Sequence, residues 1–129
     1  MSFLAKLHMD DQEFNILDSE YTFIQNTDAH GKPSAKTKGG KVSMSIESSG
    51  SLDFFDWMIS PSTMKSGKII FYRRESEAKM KELVFNDAFC IYFKERFIST
   101  GDNPMVIDLE ISAKELKMGD SIYQNPWTV

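Results

Sequence analysis

Few residues in this chain are of the types that most often do chemistry, and their settings argue against a catalytic role. His8 alternates onto the polar face of a strand pattern, which predicts a surface or interface position, and His30 sits far away in a lysine-rich segment. Cys90 lies in a Phe-Cys-Ile-Tyr-Phe run, the setting of an inert, largely buried thiol rather than a nucleophile. No spacing of Cys and His suits zinc and no acidic loop suits calcium. Gly39-Gly40 is a flexible dipeptide, not a phosphate cradle. The 19 Asp and Glu residues offer many pairs and single out none. No catalytic, cofactor-binding or metal-binding residue is therefore expected, and the chain does not read as an enzyme.

Charge is distributed unevenly. Residues 26–41, NTDAHGKPSAKTKGGK, hold Lys32, Lys36, Lys38 and Lys41 together with three glycines and one proline, and show no apolar period. Sixteen such residues exceed a hairpin turn, and loops of this length are usually functional or mobile. The acidic residues Asp10, Asp11, Glu13, Asp18 and Glu20 gather around the first turns. The lysines could meet phosphates, but no aromatics interleave them as single-strand binders require. Phe89, Tyr92, Phe93 and Phe97 suit a strand core better than a base-stacking face. The net charge of −4 is too mild to point to nucleic acid or to an anionic membrane.

The elements that must carry these residues are mostly strands. Apolar and polar residues alternate over 3–9, 42–47 and 105–113, the period of half-buried strands. Shorter strands are expected at 14–16 and 21–25, separated by the break Asp18-Ser19. Others are expected at 68–74, 80–85 and 89–97, the last two separated by Asn86-Asp87, with a break at 100–104 and a short strand within the tail 116–129. Residues 51–59 read as the one helix. Ser51 suits its start, and Asp53 and Asp56 suit the positive end of its dipole. Leu52, Phe55 and Ile59 form one apolar stripe and Phe54, Trp57 and Met58 another, so burial on more than one side is expected. Pro61 ends it. Eight or nine short strands and one helix in 129 residues predict a single domain, a closed or nearly closed β-barrel or a sandwich. Its interior looks filled by Phe, Ile and Met, which argues against the alternative of a barrel holding a small apolar ligand. One cysteine excludes an internal disulfide. Neither a signal-peptide pattern nor an apolar run of membrane-spanning length is seen, so cytoplasmic folding without membrane insertion is expected.

Four segments in this order, MSFLAKLHMDDQEFNILDSEYTFIQNTDAHGKPSAKTKGGKVSMSIES, FFDWMISPSTMKSGKIIFYRR, LVFNDAFCIYFKERF and TGDNPMVIDLEISAKEL, resemble the tube protein of type VI secretion systems, the haemolysin-coregulated protein (Hcp, TssD) family. The resemblance runs from Met1 to about Trp127. It implies a mainly β fold, a β-barrel-like pair of packed antiparallel sheets with one short helix at the side. It implies a homo-hexameric ring, rings stacked into a tube, a contractile sheath and a spike as partners, effector proteins in the lumen, and export by the machine itself. A tube subunit of a related phage-tail-like injection device is the neighbouring alternative. Residues 26–41 correspond to the family's extended loop, which reaches the next ring, and 51–59 to its helix. The expected stacking contacts are Lys32, Lys36, Lys38 and Lys41 against the acidic set. The helix flank, Tyr123 and Trp127 are candidate contacts within a ring, with Trp127 capping the subunit's own core as the equal alternative. Ser43, Ser45 and the Asp108–Glu110 face are expected to line the lumen.

Overall fold

The alternation along residues 42–46 and 107–113 translates directly into structure. In a computed structural model describing residues 3–102 and 104–127, Val42, Met44, Ile46, Ile107, Leu109, Ile111 and Ala113 are buried, while Ser43, Ser45, Asp108, Glu110 and Ser112 face outward. Asn103, within the expected break at 100–104, and the last two residues of the tail lie outside the described residues, as do Met1 and Ser2. The elements are β1 (Phe3–Met9), β2 (Gln12–Tyr21), β3 (Lys41–Glu47), α1 (Asp53–Ile59), β4 (Lys65–Arg73), β5 (Lys79–Phe97), β6 (Met105–Met118) and β7 (Ser121–Gln124). All pairings are antiparallel, in the order β3-β2-β1-β4-β5-β6-β7, and β3 also pairs with β6. That last pairing closes six strands into a barrel, with β7 added on the free side of β6. Closure leaves the barrel strands without an unpaired edge.

The core runs through the barrel and under the helix: Leu7, Phe14, Ile46, Ile69, Leu83, Phe85, Ile111 and Leu116 pack with Phe54 and Trp57 of α1. Burying each such side chain contributes roughly 1.5–3 kcal/mol. Ile70 is buried on the other side of β4, outside this core, between Lys6 and Glu82 on the flanking strands. The interior is thus filled by side chains. The larger concavities, about 390 and 600 Å³, open on the outside of the barrel and are lined mostly by outward-facing residues.

Among the described residues seven strands appear where eight or nine were expected: two expected breaks fall inside continuous strands, and the strand expected at 21–25 is absent beyond Tyr21 save for an isolated bridge at Ile24. Asp18-Ser19 does not end β2; a bulge between Ile16 and Asp18 absorbs Leu17, which is left exposed. Asn86-Asp87 does not separate two strands. Asp87 takes a left-handed backbone (φ 52°) within the 19-residue β5, and its N–H donates to the Ser66 hydroxyl at 3.0 Å. A second bulge follows between Cys90 and Tyr92. Bulges bend a strand, and these let β5 pass from its pairing with β4 to the far half of β6.

The helix is shorter and less buried than expected. It starts at Asp53, after Ser51 has accepted the Asp53 N–H at 3.2 Å. Phe54 and Trp57 are 1% exposed, with Met58 partly buried beside them. Leu52, Phe55 and Ile59 are 71%, 54% and 67% exposed. A seven-residue helix lying across β5 has one flank to bury, and the second stripe faces away from the protomer.

Candidate functional site

The lysine segment folds back on itself as an arm. Ile24 and Lys38 exchange backbone hydrogen bonds of 2.9 and 2.7 Å, and the Ser34 N–H donates to the Asn26 carbonyl at 2.8 Å. At the tip the Asp28 carboxylate accepts the N–H groups of His30 and Lys32 at 2.8 and 3.1 Å, an Asx-type turn. Asp28 therefore serves the arm's own backbone. Lys32, Lys36, Lys38 and Lys41 are all exposed and form no ion pair among the described residues.

The five acidic residues do not form one face. Asp10 and Asp11 make the β1–β2 turn, both with left-handed backbones (φ 55° and 60°), and Glu13 follows. The Gln12 side chain donates to Asp53 at 3.0 Å and brings the acidic first turn of α1 to the same place. Asp10 pairs with Lys65, and Glu13 lies 3.8 Å from Lys6. At the other end of β2, Tyr21 pairs with Val42, adjacent to Lys41. Ten strand residues at about 3.3 Å each separate the acidic turn from the root of the arm by roughly 30 Å. Glu20 is on the arm's side, lining a concavity with Lys38 and Lys41. Asp18 pairs with Ser45 on the outer wall. So only Asp10, Asp11 and Glu13 lie opposite the lysines.

That wall, on β2, β3, β5 and β6, is polar. The Ser43 hydroxyl donates to Glu110 at 2.9 Å, Ser45 donates to Asp108, and Arg96 lies 3.4 Å from Asp108. Tyr92 completes the concavity.

His8 lies 3.3 Å from the Tyr72 hydroxyl and 3.6 Å from Glu13. Cys90 is buried, and burial pushes its thiol pKa up, away from the thiolate that a nucleophile needs. Among the described residues no three His, Cys, Asp or Glu side chains are placed so that they could hold a metal ion. No helix there is long and apolar enough to cross a membrane. Tyr123 and Trp127, expected at neighbours, are engaged within their own protomer. The Tyr123 hydroxyl accepts the Gly39 N–H at 3.0 Å, and Trp127 lies against Phe89 with ring centroids 5.5 Å apart. Sequence reasoning missed this link between the C-terminal segment and the arm. Nothing local signals it, because the partners are 84 residues apart.

A protein-family model, described as Hemolysin coregulated protein Hcp (TssD), matches residues 1–128. Among solved structures, Hcp1 from Flavobacterium johnsoniae is similar at a TM-score of 0.88 and 35% identity, over 95% of this chain and 99% of that one. Hcp1 from Salmonella typhimurium gives 0.75 at 13% identity, over 92% and 86%. A chain of the anti-feeding prophage baseplate gives 0.52 at 12% identity, over 91% of each, a likeness of fold. No protein of curated function matches in sequence.

Proposed function

Because this chain belongs to the haemolysin-coregulated protein (TssD) family and is a structural subunit of the inner tube of a type VI secretion system, we propose how its surfaces serve that tube. Rings stack head to tail, the lysine arm of one ring meeting the Asp10, Asp11 and Glu13 end of the next. The observation that carries this reading is the placement of unpaired lysines and clustered carboxylates at opposite ends of one barrel. A single exposed ion pair contributes about 0–1 kcal/mol. Repeated around a ring, such pairs set register and polarity more than strength.

Within a ring of six, each contact joins two different faces, because a cyclic interface with more than two members is heterologous. The exposed Leu52, Phe55 and Ile59 stripe is one of those faces. The polar wall of Ser43, Ser45, Asp108 and Glu110 faces the lumen, where effector proteins travel, with the sheath outside and the spike at the tip. Assembly takes place in the cytoplasm, from which the machine exports the tube.

Light scattering after size exclusion tests the reading. The expected mass is near six times 14.8 kDa at high salt and rises as longer stacks form at low salt. These shorten as the Debye length falls from about 10 Å at 0.1 M to 3 Å at 1 M. A strict monomer at every concentration contradicts the ring. Stacks indifferent to salt contradict the charge pairing and leave tube growth to apolar and main-chain contacts.

A further inference from the structure

The arm leaves the barrel after Tyr21 and returns at Lys41, and its returning foot is held by a circuit of hydrogen bonds through the C-terminal segment. The Gly39 N–H donates to the Tyr123 hydroxyl at 3.0 Å, and that hydroxyl donates to the Asn125 side-chain oxygen at 2.9 Å. The Asn125 amide donates to the Ala113 carbonyl at 2.7 Å, and the Ala113 N–H donates to the Gly40 carbonyl at 2.7 Å. The circuit starts at Gly39 and ends at Gly40. The Asn125 backbone is fixed separately, its N–H donating to the Lys114 carbonyl at 2.8 Å. The other foot is held by rings: Phe23 meets Tyr123 edge-on at 5.1 Å and Tyr21 at 6.4 Å. Gly40 has φ +96°, and a Cβ there would meet the Asn125 side chain and come within 3.0 Å of the Ala113 carbonyl. At Gly39 a Cβ would run into the Phe23 ring. Glycines are needed at both positions for the close approach.

We propose that residues 123–125 are a latch that fixes the direction in which the lysine arm leaves the barrel, with Tyr123 and Asn125 as positioning residues for ring stacking. The proposal rests on the reading that the arm meets the next ring. Beyond its feet the arm is held by the pairing of Ile24 with Lys38 and a second isolated bridge between Thr27 and Pro33. Ordering a residue costs backbone entropy, and two bridges alone leave the whole arm free to swing as a unit. The circuit removes that swing at its root. Lys38, one residue from Gly39, inherits the orientation directly, and the Ile24–Lys38 pairing passes it on to the rest of the arm.

The test is Tyr123→Phe in the assembled protein, which keeps the ring against Phe23 and removes both bonds of its hydroxyl. Hydrogen exchange at residues 24, 38 and 39 is expected to rise about tenfold or more, as local opening becomes easier. The hexamer mass stays unchanged, and the stacked fraction at low salt falls about tenfold. Asn125→Leu, which breaks the circuit at its next member, gives the same pattern. A merely structural residue would instead lower the unfolding midpoint or the hexamer mass. Arm exchange equal to wild type in both variants overturns the latch. Faster exchange with undiminished stacking overturns its positioning role. The underlying reading has its own control: if Lys32→Glu with Lys36→Glu stacks like wild type, the arm is not the stacking contact, and exchange alone then decides the latch.

Discussion

Two adjacent phenylalanines on α1 show how much a single position determines. Phe54 is 1% exposed and packs edge-on to Phe14, with centroids 4.8 Å apart; Phe55 is 54% exposed and meets Phe93 in an aromatic pair at 6.0 Å. Phe54→Ala leaves a cavity between helix and barrel and is expected to cost about 3–5 kcal/mol, read as a lower urea midpoint. Phe55→Ala is expected to leave the fold intact by circular dichroism and to shift mass from hexamer to protomer on dilution. The sequence distinguishes the two stripes by spacing but not which one turns inward. That is decided by tertiary packing: Phe54 and Trp57 join the barrel core beside Phe14, while Phe55 reaches no further than the Phe93 ring on β5. The same holds for Trp57, whose indole N–H donates to the Thr63 carbonyl at 3.0 Å across the turn that Pro61 introduces. Pro61 was legible as a stop; its use in bringing Thr63 back to the indole was not.

At the scale of elements, β7 is a four-residue strand paired with β6 along its length, and one carboxylate adds a side-chain tie to it. Glu115 accepts hydrogen bonds from the side chains of Gln124 at 3.0 Å and Asn86 at 2.9 Å, and these hold its pKa below the usual glutamate value. A folded-state pKa lower than the unfolded one stabilises the fold above the unfolded value, about 4.3, and that contribution is lost as pH falls through the lower folded value. Amide protection of Ser121–Gln124, corrected for intrinsic rates, is therefore expected to drop between pH 6 and pH 3, and Glu115→Gln is expected to flatten that dependence. Strand existence and facing were legible along β1, β3 and β6, where alternation is clean. Strand continuity was not, because Asp18-Ser19 and Asn86-Asp87 carry turn-forming residues and turn chemistry serves a bulge as well as a hairpin. Closure of the barrel was legible only as a class of fold. The β3–β6 pairing that makes it joins residues 59 to 71 positions apart. The arm was legible as a lysine-rich insertion, but its attachment to β7 depends on that distant geometry.

For the whole molecule, the separation of charge along the barrel is the property with the widest reach. Reversal of the arm, Lys32→Glu with Lys36→Glu, is expected to abolish low-salt stacks while hexamers persist, and Asp10→Lys with Asp11→Lys is expected to do the same. Combining the four substitutions in one chain is expected to restore stacking, as seen by negative-stain microscopy. Loss without restoration would mean that the two ends do not meet. The split of the acidic set matters here: Glu20, beside Lys38 and Lys41, cannot take part in a head-to-tail contact that Asp10 and Asp11 can. A barrel with basic and acidic ends is also an electric dipole. In the proposed ring the transverse components cancel by rotational symmetry and the axial components add. In a head-to-tail stack the moment then grows in proportion to length. Such a filament orients in an applied field, and two lying side by side have their lowest energy when they point in opposite directions.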